Sequence, residues 1–208
     1  LAWAYNLGVA LQRTADALSP TNAASARAIA QKYAEAAHAY QESLATRNEA
    51  ARNMTLTNLS LAAARAEASR QAARRMEIEE RYGPLEPPEL ARRLLDGHRE
   101  LDRTVAEALA DPAPAQLDKL EKAGQRALDL ADMVAPLSSK MESALLQAGG
   151  EQATDQALQL RTQTEALANL TRETAARLRN GESASPDRLV AGKQAAYSLW
   201  KAVAPSPA

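Results

Sequence analysis

The fold is decided by residues 21–88, which read TNAASARAIAQKYAEAAHAYQESLATRNEAARNMTLTNLSLAAARAEASRQAARRMEIEERYGPLEPP. From Thr21 to Tyr82 this stretch contains no glycine and no proline, and Gly83-Pro84 and Pro87-Pro88 then follow. It is rich in alanine, glutamate and arginine, which have high helix propensity. Because glycine and proline interrupt helices, the stretch predicts long helix as far as Tyr82 and a boundary directly after it.

Hydrophobic periodicity in the same stretch is helical. One face is formed by side chains three or four positions apart, which are Ile29, Tyr33, Ala36, Ala37, Tyr40 and Leu44. The segment 48–58 is polar and rich in Asn and Thr, which are unfavourable inside helices but favourable at their ends. We therefore expect a kink or break near Asn53 to Thr57. The alternative is one helix about 90 Å long, at about 1.5 Å per residue.

Glycines and prolines divide the rest of the chain into further helical segments. These are residues 1–18, 89–110, 116–148 with an interruption at Pro136, 151–180 closed by Gly181, and 186–203. Isoleucine occurs only at positions 29 and 78, and no segment alternates with period two. The sequence therefore predicts an all-α fold, either an antiparallel helical bundle or stacked long helical hairpins, with about six helices and coiled-coil-like packing.

The same glycines and prolines also indicate the domain organisation. We expect a single all-helical domain over residues 1–208. The alternative is a subdivision near 83–88, with a long helical hairpin in 1–82 and a helical bundle in 89–203.

The composition is alanine-rich, nearly neutral and free of cysteine. The 208 residues include 25 Lys+Arg against 26 Asp+Glu, and about a quarter of them are alanine. Without cysteine there is no disulfide, thiolate metal ligand or thiol nucleophile. The near-neutral charge gives no general attraction to nucleic acid or to an anionic membrane. The excess of arginine over lysine and the absence of phenylalanine are typical of a GC-rich, bacterial genome.

The sequence leaves the cellular compartment open. No apolar run approaches the roughly 18 residues of a membrane span. The chain starts at Leu1 with no signal-peptide pattern, which predicts an excised or processed piece of a longer protein.

A metal site is weakly suggested by one motif. Glu35 and His38 have the Glu-x-x-His spacing found in di-iron helical bundles, which places both side chains on one helical face. Such a site needs a second copy, and the residue three positions before His98, the other histidine, is Leu95. We therefore predict no metal ligands and interpret His38 as a solvated or partly packed histidine.

Motifs for covalent or phosphate chemistry are missing. The sequence has no Gly-x-Ser-x-Gly, no glycine-rich phosphate loop and no cysteine. Ser139 and Lys140 are adjacent rather than catalytically spaced, and the pair Glu79-Glu80 is more typical of a solvated face. We therefore expect no enzyme: no catalytic residues, no cofactor-binding residues and no cofactor.

Nucleic-acid binding is also disfavoured. A stripe of arginines, formed by Arg65, Arg70, Arg74, Arg75 and Arg81, alternates with Glu67, Glu77, Glu79 and Glu80. The glutamates cancel most of the positive field and supply partners one helical turn away. The segment 65–81, which holds these arginines, also lacks aromatic residues that could stack on bases. A surface of salt bridges is the expected outcome.

Two polar segments admit two interpretations each. One is the segment 48–58, and the other is a face of Gln159, Thr162, Gln163 and Thr171. A polar layer inside a helical bundle is costly unless its groups are satisfied, so such layers often form the ligand pocket of a bundle sensor. The plainer interpretation is that these residues cap helix ends or face water.

Two segments near the start resemble a tetratricopeptide-type helical hairpin. Residues 4–11 (AYNLGVAL) supply the Leu-Gly pair of its first helix as Leu7-Gly8, and residues 32–40 (KYAEAAHAY) supply the Ala and aromatic of its second helix as Ala36 and Tyr40. The glycine allows two helices to approach closely and the aromatic ring fills the space. The resemblance implies a helical protein-docking scaffold without catalysis.

Two functions remain. The first is a non-catalytic protein–protein interaction scaffold or adaptor that docks a protein partner on an exposed helical groove. The alternative is an extracytoplasmic helical-bundle sensory domain of a signalling receptor, which binds a small-molecule ligand between helices. The Pro-Ser-Pro segment at 205–207 favours the scaffold, because a sensor usually continues from its last helix into a membrane span. Helix packing between copies would give a homo-oligomer.

Overall fold

A computed structural model describes residues 2–45 and 48–204. Over these residues the chain forms seven α-helices and no strand, which confirms the all-α prediction. The helices are α1 (Ala2–Asp16), α2 (Ala23–Ser43), α3 (Glu49–Tyr82), α4 (Pro87–Leu109), α5 (Ala113–Ala148), α6 (Ala153–Arg179) and α7 (Pro186–Val203). The Pro-Ser-Pro tail lies outside the described residues. The seven helices agree with the prediction of about six, and residues 21–82 hold two of them.

The predicted break near Asn53 to Thr57 is wrong in its position. Helix α2 ends at Ser43, and α3 begins at Glu49 and continues through the Asn/Thr-rich segment. The side chain of Asn48 caps α3 by accepting a hydrogen bond from the backbone N–H of Ala51 at 3.0 Å. Inside the helix, the Thr55 hydroxyl donates to the carbonyl one turn earlier, so its polar group is satisfied without a break.

The predicted interruption at Pro136 is also wrong. Helix α5 runs unbroken from Ala113 to Ala148 with Pro136 buried inside it. A proline removes one intrahelical hydrogen bond. The neighbouring side chains Val134, Leu137 and Met141 are buried, so packing on other helices holds α5 together where local propensity opposes it.

The chain forms two compact units, Leu1–Arg81 and Tyr82–Ala208. The core of the first unit joins α1, α2 and α3 in two clusters, which are Ala15, Ile29, Tyr33 and Ala66, and Ala36, Tyr40 and Ala62. Polar contacts at the edges complete it. The Tyr33 hydroxyl donates to Asp16 at 2.7 Å, and Arg65 forms an ion pair with the same carboxylate. Tyr33 thus supplies an apolar ring to the core and a polar hydroxyl to its rim.

Helices α1 and α2 approach closely at one glycine. A Cβ atom at Gly8 would lie 2.8 Å from the ring carbons of Tyr40, so only glycine leaves room for this ring. The Tyr40 hydroxyl donates a hydrogen bond to the side chain of Gln12 on α1 at 2.9 Å. Tyr40 is 1% exposed, so this contact lies at the centre of the first unit.

The second unit is a bundle of α4, α5, α6 and α7. Helix α4 packs on α5 and on α7, α5 packs extensively on α6, and α6 and α7 have few contacts. Its core is mostly leucine and alanine, including Leu90, Leu94, Leu101, Leu120, Leu137, Leu167 and Leu178. Gly149 and Gly150 have positive φ and form the turn between α5 and α6. No helix within the described residues is long and apolar enough to cross a membrane.

Replacing Gly8 by Val tests the close approach of α1 and α2. We expect Gly8→Val to lower the free energy of unfolding by about 1–3 kcal/mol, the usual cost of overpacking a core. Ala10→Val, at an exposed position of the same helix, should change it by about 0.5 kcal/mol or less. Urea denaturation followed by circular dichroism measures both variants. Equal urea midpoints for Gly8→Val and Ala10→Val would contradict the claim that only glycine leaves room for the Tyr40 ring.

Candidate functional site

The α6–α7 seam is the place where the second bundle is least closed. Helix α7 is attached to the bundle through α4, and its contacts with α6 are few. Because the two helices stand apart along this seam, two concave features form between them. We call the larger one the apolar groove and the smaller one the His98 cavity.

The apolar groove has a volume of about 360 Å³. It is lined by Gln163, Ala166, Leu167 and Leu170 of α6 and by Ala191, Ala195, Ser198 and Leu199 of α7. None of these side chains carries a charge. From Ala191 to Leu199 the α7 wall spans about 12 Å, which is slightly more than two helical turns.

Small side chains form the walls of the apolar groove and leucines form its base. Leu167 and Leu199 are almost fully buried, whereas Ala191 on α7 is exposed. Alanine side chains are too short to fill the space between separated helices. The groove can therefore accept large apolar side chains from another molecule, and it offers little to a charged one.

The His98 cavity adjoins the apolar groove, since Leu170 lines both. It has a volume of about 10 Å³. Its walls come from α4, α6 and α7 and are formed by His98, Leu101, Leu170, Thr171, Thr174, Arg188, Leu189 and Gly192. A space of this size holds about one water molecule, so it cannot hydrate an ion.

His98 is buried without a partner for one of its ring nitrogens. The residue is 4% exposed, and its Nε2 atom makes no hydrogen bond to any described residue. Burial lowers the pKa of His98 to about 4, because the charged imidazolium would lose its hydration. His38, which the sequence predicts to be a solvated or partly packed histidine, is exposed, whereas His98 is a core residue.

Helix α7 lies directly on the His98 ring. A Cβ atom at Gly192 would be 2.9 Å from Nδ1 and 3.0 Å from Cε1 of the imidazole. Glycine at this position therefore lets the α7 backbone contact a side chain of α4. The neighbouring Lys193 forms an ion pair with Asp102 of α4, which fixes the same crossing from the rim.

A second, polar groove lies between α5 and α6, with a volume of about 630 Å³. The buried Ser138 hydroxyl lies 2.8 Å from the hydroxyl of Thr164 and donates to Glu142 at 2.8 Å. The guanidinium of Arg161 contacts one Glu142 oxygen through Nη2 at 2.6 Å and Nε at 3.2 Å. The hydrogen bonds from Arg161, and then that from Ser138, hold the pKa of Glu142 below its usual value. A carboxylate stabilised in this way is a poor general base for the serine.

The two residues of the suggested metal motif have different partners. His38 Nδ1 lies 3.6 Å from Glu42, whereas Glu35 accepts a hydrogen bond from Gln31 at 3.0 Å. Among the described residues, no group of three or more His, Asp or Glu side chains is placed to hold a metal ion.

The other sequence-predicted features are also placed individually. Asn58 donates to the Tyr5 hydroxyl at 3.0 Å, so the Asn/Thr-rich segment serves helix capping and packing in the first unit. Lys140 donates to the carbonyls of Gly83 at 2.6 Å and Leu85 at 2.8 Å, which ties α5 to the segment before α4. Glu80 accepts a hydrogen bond from the first N–H of α2 at 3.0 Å. Lys140 and Glu80 thus satisfy backbone groups, whereas Asn58 bonds another side chain.

The predicted polar face of α6 divides between three environments. Gln163 lines the apolar groove, Thr171 lines the His98 cavity, and the exposed Thr162 donates to the carbonyl of Leu158 at 3.0 Å. Sequence reasoning missed His98. The available signal was its spacing from Leu94, Leu101 and Val105, which places it on the buried face of α4.

Comparisons with known proteins give no relative. No protein-family model matches the chain, no curated protein is significantly similar to it, and no solved structure matches it. The grooves and the cavity are therefore the features of the chain that bear on its function.

The buried histidine makes stability depend on pH. Because the folded-state pKa of His98 is about 4 against an ordinary 6.5, the unfolded chain binds more protons between these values. The full contribution is present above pH 6.5 and is lost as pH falls towards 4, amounting to about 3 kcal/mol. Urea denaturation between pH 7 and 4 should show this decrease. His98→Leu should flatten the part of the profile due to His98, and an unchanged profile would contradict its burial.

The Arg161–Glu142 contact can be tested by one truncation. Removing the guanidinium in Arg161→Ala should raise the pKa of Glu142 towards its ordinary value, since the first cause of its lowering is lost. Carboxyl carbon NMR of the glutamates measures this titration. Arg172→Ala, at a residue that lines the same groove from the same helix, is the control and should leave the Glu142 titration in place. Equal shifts in both variants would exclude a specific contact.

Proposed function

We propose that this chain is a non-catalytic protein–protein interaction scaffold that docks an amphipathic helix of a partner protein in the apolar groove. One observation carries the proposal, namely an uncharged groove lined by small side chains between two separated helices. Helix-in-groove recognition uses this arrangement, in which apolar anchors at positions i, i+3, i+4 and i+7 enter the groove.

The chemistry of the lining selects this occupant. Since no lining side chain is charged, a charged ligand would lose its hydration without gaining a partner. A partner helix satisfies its own backbone groups and needs only to bury apolar side chains. The resemblance of residues 4–11 and 32–40 to a tetratricopeptide-type hairpin points to the same class of function, although those residues lie in the first unit.

The scaffold is tested with helical peptides displayed on phage as the probe. Selection against the intact chain should return peptides with an apolar stripe at helical spacing. Ala195→Trp fills the apolar groove and should weaken the selected peptides at least 10-fold. Ala106→Trp, at an exposed alanine of α4, should leave their affinity unchanged. Isothermal titration calorimetry measures both.

Two outcomes would reject the scaffold at this groove. The first is selection of peptides that bind the Ala195→Trp variant as well as the native chain. The second is light scattering that shows a dimer in the native chain and a monomer in the Ala195→Trp variant, since a second copy would then occupy the groove.

A sensory domain is the second candidate, and the polar α5–α6 groove favours it. Its lining combines Arg161, Arg172, Glu142 and Glu165 with four hydroxyl groups, which suits a small polar ligand. We infer that such a ligand would be a carboxylate or an amino acid, because Arg172 supplies a guanidinium at the wall of the groove.

A thermal-shift screen of carboxylates and amino acids tests the sensor. At least one compound at millimolar concentration should raise the melting temperature by several degrees. Arg172→Gln should abolish the shift, and Arg92→Gln on the exposed face of α4 should preserve it. This function would be rejected if no compound raised the melting temperature, or if the Arg172→Gln variant showed the same increase as the native chain.

A further inference from the structure

The His98 ring lies where three helices meet and where an added proton has no compensation. The ring belongs to α4, and the cavity beside it is closed by α6 and α7. Nε2 already lacks a hydrogen-bond partner among the described residues. Because the cavity has a volume of only about 10 Å³, an imidazolium could not be hydrated without movement of the helices.

The charged groups around the cavity do not supply a counter-ion. On α4, Asp102 lies one turn after His98 and is paired with Lys193 of α7. On α7, Arg188 lines the cavity and is itself positive, and its guanidinium contacts Glu173 of α6 at 2.7 Å. Protonated His98 would therefore meet the positive guanidinium of Arg188 in the cavity wall, while the carboxylates of Asp102 and Glu173 are already paired.

Helix α6 contributes hydroxyl groups that are occupied in its own backbone. Thr171 donates to the carbonyl of Leu167 at 2.7 Å, and Thr174 donates to that of Leu170 at 2.8 Å. These oxygens could accept a hydrogen bond but carry no charge. They cannot replace the hydration that an imidazolium loses on burial.

Helix α7 is the element that can yield. Its backbone contacts the ring at Gly192, so a polar imidazolium and its water would have to enter at that contact. Helix α7 has few contacts with α6, and its attachment to α4 includes the His98 crossing itself. Movement of α7 at this crossing therefore exposes the ring, and few contacts with α6 oppose that movement.

We propose that proton uptake by His98 releases α7 from α4 and α6, so that the α6–α7 seam is an acid-responsive latch. The release removes the α7 wall of the apolar groove, which Ala191, Ala195 and Leu199 form. Acid then lowers the affinity for a partner helix. This last consequence, and only this one, rests on the proposed function.

Proton linkage sets the size of the effect. The closed state has a His98 pKa of about 4, and the opened state returns to about 6.5. The equilibrium constant for opening is then on the order of 20-fold higher at pH 5 than at pH 7. It should change little between pH 7 and 8, because His98 is then neutral in both states.

Hydrogen exchange of the intact chain tests the latch without any partner. After correction for intrinsic rates, amides between Leu189 and Leu199 should open about 20-fold more at pH 5 than at pH 7. His98→Leu and His98→Gln remove the titrating group and should reduce the ratio to nearly 1. His38→Leu removes the exposed histidine of the first unit and should retain the full ratio.

The outcomes separate the latch from the proposed function. A ratio below about 2 in the native chain would overturn the latch, as would a full ratio in a folded His98→Gln variant. Equal free energies of opening in α4, α5 and α7 at pH 5 would also overturn it, because all three helices would then exchange through unfolding of the whole bundle. If α7 opens as expected but no selected peptide depends on Ala195, the latch stands and the proposed function fails.

Discussion

Helix α7 is held to its bundle through α4 and only slightly through α6, and the properties of the second unit follow from this asymmetry. Glycine at position 192 lets α7 come close to the α4 surface at His98. On the neighbouring face of α7, alanines 191 and 195 are too small to fill the space towards α6. Small residues on α7 thus have two effects. They allow close contact with α4, where the helix axes approach each other, and they leave an open groove towards α6, where the axes are farther apart.

The asymmetry also places a titratable side chain, His98, at the contact between α4 and α7. His98 occupies a position where leucine would pack without any dependence on pH, and its Nε2 atom remains unpaired. A buried polar group of this kind costs free energy in the folded state. The first unit is organised differently, since its tyrosines combine buried rings with hydroxyl groups that reach Asp16 and Gln12. The polar groups of the first unit stabilise its packing, whereas His98 makes the packing of the second unit depend on pH.

Much of the fold could be predicted from sequence because glycine and proline act locally. The helix start at Pro186 and the end before Gly181 follow from backbone chemistry within a few residues. The break between α2 and α3 was misplaced because Asn and Thr residues can cap a helix or bond to its carbonyls, and the sequence alone does not distinguish these roles. The continuity of α5 through Pro136 depends on tertiary packing, which no local signal reveals.

The candidate site was much less predictable than the helices. Alanine marks tight contacts such as buried Ala175 and open surfaces such as exposed Ala191, so an alanine-rich sequence conceals where its groove lies. The neighbours of His98 come from three helices up to 94 positions apart, from His98 to Gly192. The polar face of α6 was visible, but whether Gln163 and Thr171 line a groove, a cavity or solvent depends on helices that the pattern does not place.

The central claim is that the α6–α7 seam receives a helix. Its most direct test is methyl NMR of the intact chain, with leucine methyl groups labelled and a selected helical peptide added. The account predicts shift changes and intermolecular nuclear Overhauser effects at Leu167, Leu170 and Leu199, with core leucines such as Leu120 unaffected. Effects centred instead on Leu146 in the α5–α6 groove, or on leucines of the first unit, would contradict it.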